Sequence, residues 1–240
     1  AGTATQQTIT VTITDTNDQA PSFTSSNAVN VAEGATAVVT LAAADTDTAD
    51  SGGLDYAIVT DDPASGTQFS LSGTSLTIAA QDYETPGCGA GADSRTCVVI
   101  VSATDDAGTA TQQTITVTIT DTNDQTPVYQ AADADDAISV NENVGTGSID
   151  AGTITDTDTV GTYGCTLGGA DAADFACSIS GSTVNVAFAS SPDYDNPADA
   201  DTNNVYVVTV LIDDGANDDA NGATTLTITV ADLNDQAPSF

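Results

Sequence analysis

The sequence predicts an all-β protein made of tandem seven-stranded Greek-key β-sandwiches, and three observations lead to this prediction. Thr, Val and Ile, whose branched side chains favour strands, fill segments in which apolar and polar residues alternate. Clusters of Gly, Asp, Asn, Ser and Pro separate these segments, as turns do in all-β folds. A sequence block also recurs about every 110 residues, the length of one sandwich domain. No segment has the length and apolar periodicity of a helix.

The internal repetition sets the predicted domain boundaries. Residues 1–19 recur unchanged at 107–125, and the end of this block returns at 226–240. We interpret 1–19 as the last strand and linker of a preceding repeat. Repeat A with its linker then covers 20–125, and 126–240 holds repeat B, its linker and the start of another repeat. The chain is therefore predicted to be part of a longer tandem array.

The last strand of each repeat has the clearest pattern. Over 114–120, Ile115, Val117 and Ile119 alternate with threonines, so that one face is apolar. The same alternation predicts strands at 8–14 and 225–230. The other predicted strands are 37–43, 54–60, 68–71, 75–79 and 96–103 in repeat A, and 147–154, 163–167, 175–179, 183–188 and 204–212 in repeat B.

The charge balance excludes some classes of partner. The chain has 35 acidic residues and a single basic one, Arg95, so its formal net charge is −34. Such a surface repels nucleic acid and anionic lipid, and we expect neither as a partner. No apolar run is long enough to span a bilayer, so no membrane insertion is predicted for this segment. The acids form either a solvated, halophile-like surface or sites for divalent cations, and their placement favours the cation sites.

The four cysteines form two pairs that are close in sequence, Cys88 with Cys97 and Cys165 with Cys177. The chain has no His and no Cys-x-x-Cys spacing, so a zinc site would need cysteines from separate repeats. Two local disulfides are the favoured interpretation, with the zinc site as the alternative. Disulfides indicate an oxidising, extracytoplasmic setting.

The linkers share the pattern Asp-x-Asn-Asp-Gln-x-Pro, at 15–21, 121–127 and 232–238. Proline keeps each linker short, extended and stiff. Calcium takes six to eight oxygen ligands, and Asp, Asn and Glu without His or thiolate favour it over transition metals. Other acids recur once per repeat at matching positions. They are Glu33 and Glu142 after the first strand, Asp45, Asp47, Asp156 and Asp158 after the second, Asp82, Glu84, Asp193 and Asp195 before the sixth, and Asp105 and Asp213 at its end.

With these motifs in this order, the whole chain resembles the cadherin repeat family, and its Thr-rich strands and Asp-Tyr-Asp-Asn-Pro at 193–197 resemble bacterial cadherin-like repeats most. The resemblance implies a Greek-key sandwich with its termini at opposite ends and calcium, commonly three ions, at each junction. It implies weaker occupancy at the two end junctions. The implied ligands are Glu33, Asp82, Glu84, Asp121, Asn123, Asp124, Asp156, Asp158 and Asp213 at the middle junction, Asp15, Asn17, Asp18, Asp45, Asp47 and Asp105 at the first, and Asp232, Asn234, Asp235, Glu142, Asp193 and Asp195 at the last.

Two departures from the family pattern concern the linkers and their acids. Gln19, Gln125 and Gln236 stand where the family usually has a second Asn, and Asp195 replaces the usual Glu. The chain also has no Trp, so it lacks the residue by which animal adhesion cadherins exchange strands.

The predicted function is structural and not enzymatic. The chain has no His, and its paired carboxylates recur in every repeat, unlike a glycosidase pair. We expect a calcium-rigidified segment of a large extracellular adhesin or filament at the cell surface, with neighbouring repeats as its partners. The alternatives are a calcium-dependent glycan- or self-binding module, and a filament subunit joined by strand exchange through 1–14. The remaining acids are interpreted as solvated turn residues, namely Asp61, Asp62, Asp135, Asp136, Asp214, Asp218 and Asp219.

Overall fold

The structure is a computed structural model that describes residues 1–47, 53–61, 68–88, 95–132 and 137–237. Strands dominate these ranges, together with one short 3-10 turn, η1 (Ala172–Asp174), so the all-β prediction is confirmed. The chain divides into two compact units, Ala1–Asp121 and Thr122–Phe240. Within the described ranges no helix has the length and apolarity needed to cross a membrane.

The first unit has a four-stranded sheet with the order β2-β9-β8-β5 and a three-stranded sheet with the order β3-β7-β6, while β1 pairs with β4. Strand β2 runs parallel to β9, and the other pairs are antiparallel. The strands are β1 (Ser22–Phe23), β2 (Ala28–Ala32), β3 (Ala37–Thr40), β4 (Ala43–Ala44), β5 (Asp55–Thr60), β6 (Phe69–Ser72), β7 (Ser75–Ile78), β8 (Thr96–Thr104) and β9 (Ala110–Thr120).

The second unit has two four-stranded sheets, with the orders β10-β12-β15-β14 and β11-β17-β16-β13. Its one parallel pair, β11 with β17, is the counterpart of β2 with β9. The strands are β10 (Val128–Gln130), β11 (Ala137–Asn141), β12 (Ser148–Thr155), β13 (Gly164–Gly168), β14 (Phe175–Ser180), β15 (Thr183–Phe188), β16 (Val205–Asp213) and β17 (Thr224–Ala231).

The first strand of each unit is split between the two sheets, which the sequence did not reveal. Strand β10 pairs with β12, whereas β11 pairs with β17 of the other sheet. Strands β1 and β2 divide in the same way between β4 and β9. The predicted strand at 37–43 is also divided, into β3 and β4. In each unit, one segment of the chain therefore contributes strands to two sheets.

The cores consist of the inward-facing residues of facing strands. In the first unit Ile115, Val117 and Ile119 of β9 are buried, as their alternation predicts. The second unit adds an aromatic group to its aliphatic core. Phe188 lies 4.7 Å from Phe175 and 5.2 Å from Tyr206, measured between ring centroids. These packed faces fix the strand ends, and the loops that leave those ends hold the acidic residues discussed below.

Residues 1–14 correct one strand prediction. Their sequence is identical to 107–120, which includes β9, yet the structure assigns no strand to 1–14. Ile9, Val11 and Ile13 are 76%, 80% and 92% exposed, whereas their counterparts in β9 are at most 2% exposed. Strand β9 lies between β2 and β8 and exchanges backbone hydrogen bonds with both. The same residues without such neighbours form no ladder, because alternation specifies a strand only where another strand pairs with it.

Two disulfides connect the predicted cysteine pairs. Cys88 is bonded to Cys97 within the buried core of the first unit. Cys165 of β13 is bonded to Cys177 of β14 and thereby joins the two sheets of the second unit. Each bond closes a short loop, which limits its stabilisation to about 2–3 kcal/mol.

Candidate metal centres

Three carboxylates converge where β12 and β16 end in the second unit. One oxygen each of Asp156, Asp158 and Asp214 lies within 4.8 Å of the other two. Asp156 and Asp158 follow β12 closely, and Asp214 directly follows β16. We call these three residues, with Asn123, the upper cluster of the second unit.

Asp214 stands in this cluster at the position that the sequence assigned to Asp213. The pairing of β13 with β16 puts Gly164 opposite Asp213, and the pairing of β5 with β8 puts Asp55 opposite Thr104. Asp213 is therefore the counterpart of Thr104, and Asp214 that of Asp105. Asp213 ends β16, and its Oδ1 accepts the N–H of Gly215. The interpretation of Asp214 as a solvated turn residue is wrong, since it is 1% exposed.

The two carboxylate oxygens of Asp214 have different surroundings. Oδ1 accepts the backbone N–H groups of Ala216 over 2.8 Å and Asn217 over 2.7 Å. Oδ2 is buried and accepts no hydrogen bond from any of the described residues. Burial acts to raise the pKa of Asp214, but the hydrogen bonds from the amides of Asn217 and Ala216 outweigh it, so the pKa lies below its ordinary value. The carboxylate is thus held ionised, with one buried oxygen that still requires a partner.

Asn123 of the linker provides a second buried oxygen. Its Nδ2 donates to the carbonyl of Asp214 over 2.9 Å. Its Oδ1 is buried, and no donor within the described ranges bonds to it. Gly161 permits this approach, because a Cβ at its φ of +109° would lie 2.9 Å from Nδ2 of Asn123. The linker is held on the same side by Gln125, whose N–H donates to Oδ2 of Asp158 over 2.8 Å.

In the first unit Asn17, Asp47 and Asp105 lie at the matching place, and we call these three residues the upper cluster of the first unit. Asp45 is connected to it through the backbone N–H of Asp47, which donates to Oδ1 of Asp45 over 2.9 Å. One terminal atom of the Asn17 amide lies 3.2 Å from Oδ2 of Asp47 and 3.3 Å from Oδ2 of Asp105. If this atom is the amide nitrogen, Asn17 donates a hydrogen bond to both carboxylates. If it is the amide oxygen, it converges with Oδ2 of Asp47 and Oδ2 of Asp105. Asp47 also accepts the backbone N–H groups of Asp18 and Gln19, each over 2.7 Å. Oδ2 of Asp45 is buried without a hydrogen bond.

The lower cluster of the first unit consists of Glu33, Glu84 and Asp121, whose oxygens lie within 4.8 Å of one another. Glu33 is buried, and its Oε2 accepts the N–H of Tyr83 over 2.7 Å. The structure places the predicted ligand Asp82 in an exposed turn. Its Oδ2 accepts the hydroxyl of Thr85 over 2.6 Å and its Oδ1 two backbone N–H groups. The bonds from Thr85 hold the pKa of Asp82 below its ordinary value.

The lower cluster of the second unit consists of Glu142, Asp195 and Asp235. Glu142 is 2% exposed and accepts the N–H groups of Tyr194 over 2.8 Å and Leu233 over 2.7 Å. The linker residue Asp232 is exposed, and partial desolvation of its carboxylate, together with the charges of Asp195, Glu142 and Asp235, raises its pKa. Asn234 is exposed in the same linker.

The other predicted acids have diverse surroundings. Asp193 accepts the N–H groups of Asp195 and Asn196, as Asp82 does at the matching turn. Asp15 and Asp124 are exposed linker residues. Asp61 and Asp219 accept backbone N–H groups, with Asp219 bonded to Tyr129, so they are structural acceptors and not solvated turn residues. Asp218 is exposed. The described ranges do not include Asp62, Asp135 and Asp136.

The donor set fits calcium. Each cluster offers carboxylate oxygens, and the upper clusters add an Asn side chain. These are hard ligands of the type that calcium takes. Buried oxygens without a hydrogen bond, such as Oδ2 of Asp214 and Oδ1 of Asn123, are costly unless a cation or another donor approaches them.

The chain has the cadherin-like fold of several solved ectodomains. The ectodomain of human desmocollin-1 matches with a TM-score of 0.69 and 20% identity, over 92% of this chain and 43% of that one. Mouse cadherin-23 EC22-24 matches with a TM-score of 0.61 and 24% identity, over 91% of this chain and 68% of that one. Protocadherin gammaB4 matches with a TM-score of 0.59 and 23% identity, over 93% of this chain and 34% of that one. The chain thus spans less than half of the desmocollin and protocadherin ectodomains. No family model and no curated protein matches the chain.

Proposed function

We propose that this chain is a calcium-binding structural segment of a large extracellular adhesin or filament, and that bound calcium stiffens its linkers. The observation that supports calcium binding most strongly is the upper cluster of the second unit. There Oδ2 of Asp214 and Oδ1 of Asn123 are buried and have no hydrogen-bond partner in the described part of the chain. Asp214 lies beside the carboxylates of Asp156 and Asp158. A divalent cation would satisfy these oxygens and neutralise the carboxylates around them.

Electrostatic repulsion adds a second reason. Like charges about 4 Å apart cost roughly 1–4 kcal/mol per pair at effective dielectrics between those of water and a protein surface. Three of the four clusters hold three carboxylates each, whose oxygens lie within 4.8 Å of one another. Within the described residues the one basic side chain, Arg95, is stacked over Tyr83 at 4.0 Å. The chain itself therefore offers the clusters no free cationic side chain, and a bound cation would relieve the repulsion.

The stiffening follows from where each linker residue is held. Asp121 belongs to the lower cluster of the first unit. Asn123 and Gln125 are bonded to Asp214 and Asp158, in the upper cluster of the second unit. Cations at these clusters would fix the linker backbone on each of its two sides, and the intervening residues are too few to bend freely.

The extracellular and non-enzymatic parts of the proposal rest on three further observations. The matched structures are cadherin ectodomains. The two disulfides suit an oxidising compartment. The clusters recur at the ends of both units, as repeated structural sites do and as a single catalytic site would not.

Small-angle X-ray scattering in calcium and in chelator, at equal ionic strength, tests the stiffening. We expect a narrower distribution of overall dimensions in calcium and a broader one in chelator. The Asp121→Asn variant in calcium should resemble the chelated protein, and Asp218→Asn should resemble the wild type. Identical profiles of the wild type in calcium and in chelator would refute the stiffening role.

A second candidate function is assembly by strand addition through 1–14. Ile9, Val11 and Ile13 are exposed, although the identical segment in β9 buries its apolar face. A strand with this sequence suits a place between two strands like β2 and β8 in a neighbouring repeat or chain. Deletion of 1–14 should then abolish any concentration-dependent assembly measured by sedimentation. Assembly that persists after the deletion would exclude this route.

A further inference from the structure

Each linker contains the same contact between neighbouring side chains. Nε2 of Gln19 donates to Oδ1 of Asp18 over 2.9 Å. Nε2 of Gln125 donates to Oδ1 of Asp124 over 2.8 Å. In the third linker, Nε2 of Gln236 donates to Oδ1 of Asp235 over 3.1 Å.

We propose that the linker glutamines are positioning residues: each holds the preceding Asp carboxylate through one oxygen and thereby tunes the affinity of a calcium site without binding the ion itself. This inference rests on the proposed calcium function. It assigns a role to three of the positions at which the chain departs from the usual cadherin pattern.

The side-chain length of Gln explains the contact. Its amide stands one methylene further from the backbone than that of Asn, so it can reach the carboxylate of the residue before it. The backbone at Gln125 is held in place, since its N–H donates to Asp158 and its carbonyl accepts Nδ2 of Asn217 over 2.9 Å. With the backbone fixed, the amide restricts the rotation of the Asp124 carboxylate.

An amide donor on a carboxylate has two opposing effects on cation binding. It preorganises the carboxylate, which lowers the entropy cost of binding. It also occupies one lone pair of Oδ1, so the ion has to bind through the remaining lone pairs of the carboxylate. Hydrogen-bond partners that orient metal ligands typically change affinity 10–100-fold. The three glutamines are at least partly exposed, so we expect a smaller change, about three- to tenfold.

Asp235 shows the positioning most completely. Its Oδ1 accepts Nε2 of Gln236, and its Oδ2 accepts Nδ2 of Asn143 over 2.7 Å. Asn143 has a left-handed φ of 61°, which Asn tolerates better than most residues. The matching position in the first unit is Gly34, which has no side chain. Two amides therefore orient a carboxylate of the lower cluster that also contains Glu142 and Asp195.

The test compares Gln236→Met and Gln125→Met with the wild type by calorimetric calcium titration. Met keeps the length of the side chain and removes the amide. We expect the number of bound ions to stay the same and the affinity of one class of site to fall about three- to tenfold. Gln236→Asn keeps an amide on a shorter side chain, and its calcium affinity should fall as far as that of Gln236→Met. In the calcium-free wild type, NMR should show that the side-chain amide protons of these glutamines exchange with water more slowly than those of Gln6. In chelator, each variant should have the same unfolding midpoint as the wild type.

The outcomes separate this inference from the proposed function. Loss of one bound ion in Gln→Met would make the glutamine a direct ligand and overturn the positioning role. Unchanged affinity and stoichiometry would also overturn it, while calcium binding itself stands. A wild type that binds no calcium would refute the proposed function and, with it, the tuning role of the glutamines. Slow amide exchange in that case would show that the contact between Gln and Asp is only structural.

Discussion

The backbone N–H of Gln125 donates to Oδ2 of Asp158 over 2.8 Å, and this contact recurs in the first unit, where Gln19 donates to Asp47 over 2.7 Å. In both units the acceptor follows the second strand of the sandwich, and the donor belongs to the linker in front of it. The carboxylate therefore has two tasks: it holds the linker backbone, and it contributes charge to the upper cluster. These tasks can be separated, because the hydrogen bond requires an oxygen and calcium binding requires the charge.

The Asp158→Asn variant separates them. Its side-chain oxygen can still accept from Gln125, while one charge leaves the cluster. We expect the unfolding midpoint in chelator to stay the same or rise, because repulsion from Asp156 and Asp214 decreases, and the calcium-induced rise to shrink. Differential scanning calorimetry in calcium and in chelator measures both. Asp218→Asn, which removes an exposed charge outside the clusters, is the control. An equal shrinkage in that control would mean that net charge alone is responsible.

Asp213 and Asp214 form a matched pair for identifying the ligand. Asp214→Asn keeps an acceptor for the N–H groups of Ala216 and Asn217 but removes the charge beside Asp156. We expect calcium affinity at the upper cluster of the second unit to fall at least about tenfold, since affinity follows the number of charged ligands. Asp213→Asn should change it less than about twofold. Calorimetric calcium titration of both variants measures the two losses of affinity. A larger loss in Asp213→Asn than in Asp214→Asn would support Asp213 as the ligand, as the sequence predicted.

The strands were predictable from the sequence because apolar alternation and turn residues specify them locally. Within the described residues, strands such as Thr183–Phe188 match their predicted bounds, and others, such as Val205–Asp213, differ by a single residue at each end. The recurring acids were predictable by type and approximate place. The choice of Asp214 over Asp213 was not, because it depends on the register between β13 and β16. The contacts of the linker glutamines depend on side-chain rotamers, which a sequence pattern does not specify.

The identical segments provide a direct test of how context determines burial. Ile115→Ala opens a cavity in the core of the first unit and should cost about 2–5 kcal/mol of its free energy of unfolding. Ile9→Ala makes the same change in the same sequence at an exposed position, and should alter stability by less than about 0.5 kcal/mol. Chemical denaturation of both variants measures the difference. Comparable losses would mean that 1–14 packs against the folded protein in solution.

The pH dependence of the second unit should reflect Asp174. Burial and the negative charges of Asp171 and Asp199 raise the pKa of Asp174 above its ordinary value of 3.8. Because the folded-state pKa is the higher one, ionised Asp174 opposes folding at neutral pH, and this penalty disappears as the pH falls through that pKa. In chelator, we expect this contribution to raise the unfolding midpoint as the pH falls through that pKa toward 3.8, the ordinary value of the unfolded chain. The rise should be smaller in Asp174→Asn. A variant with the same pH profile as the wild type would contradict this origin.

Thermal unfolding in millimolar calcium tests most directly whether calcium binds specifically to the folded chain. The reference is the same protein in chelator with sodium at equal ionic strength, because screening alone stabilises a chain with a net charge of −34. A calcium concentration of about 100 times the dissociation constant adds about 2.7 kcal/mol per site to the free energy of unfolding. We predict a higher midpoint in calcium than in sodium, reduced in Asp214→Asn. Coincident midpoints in the two salts would contradict the account and leave the acids as solvated surface charge.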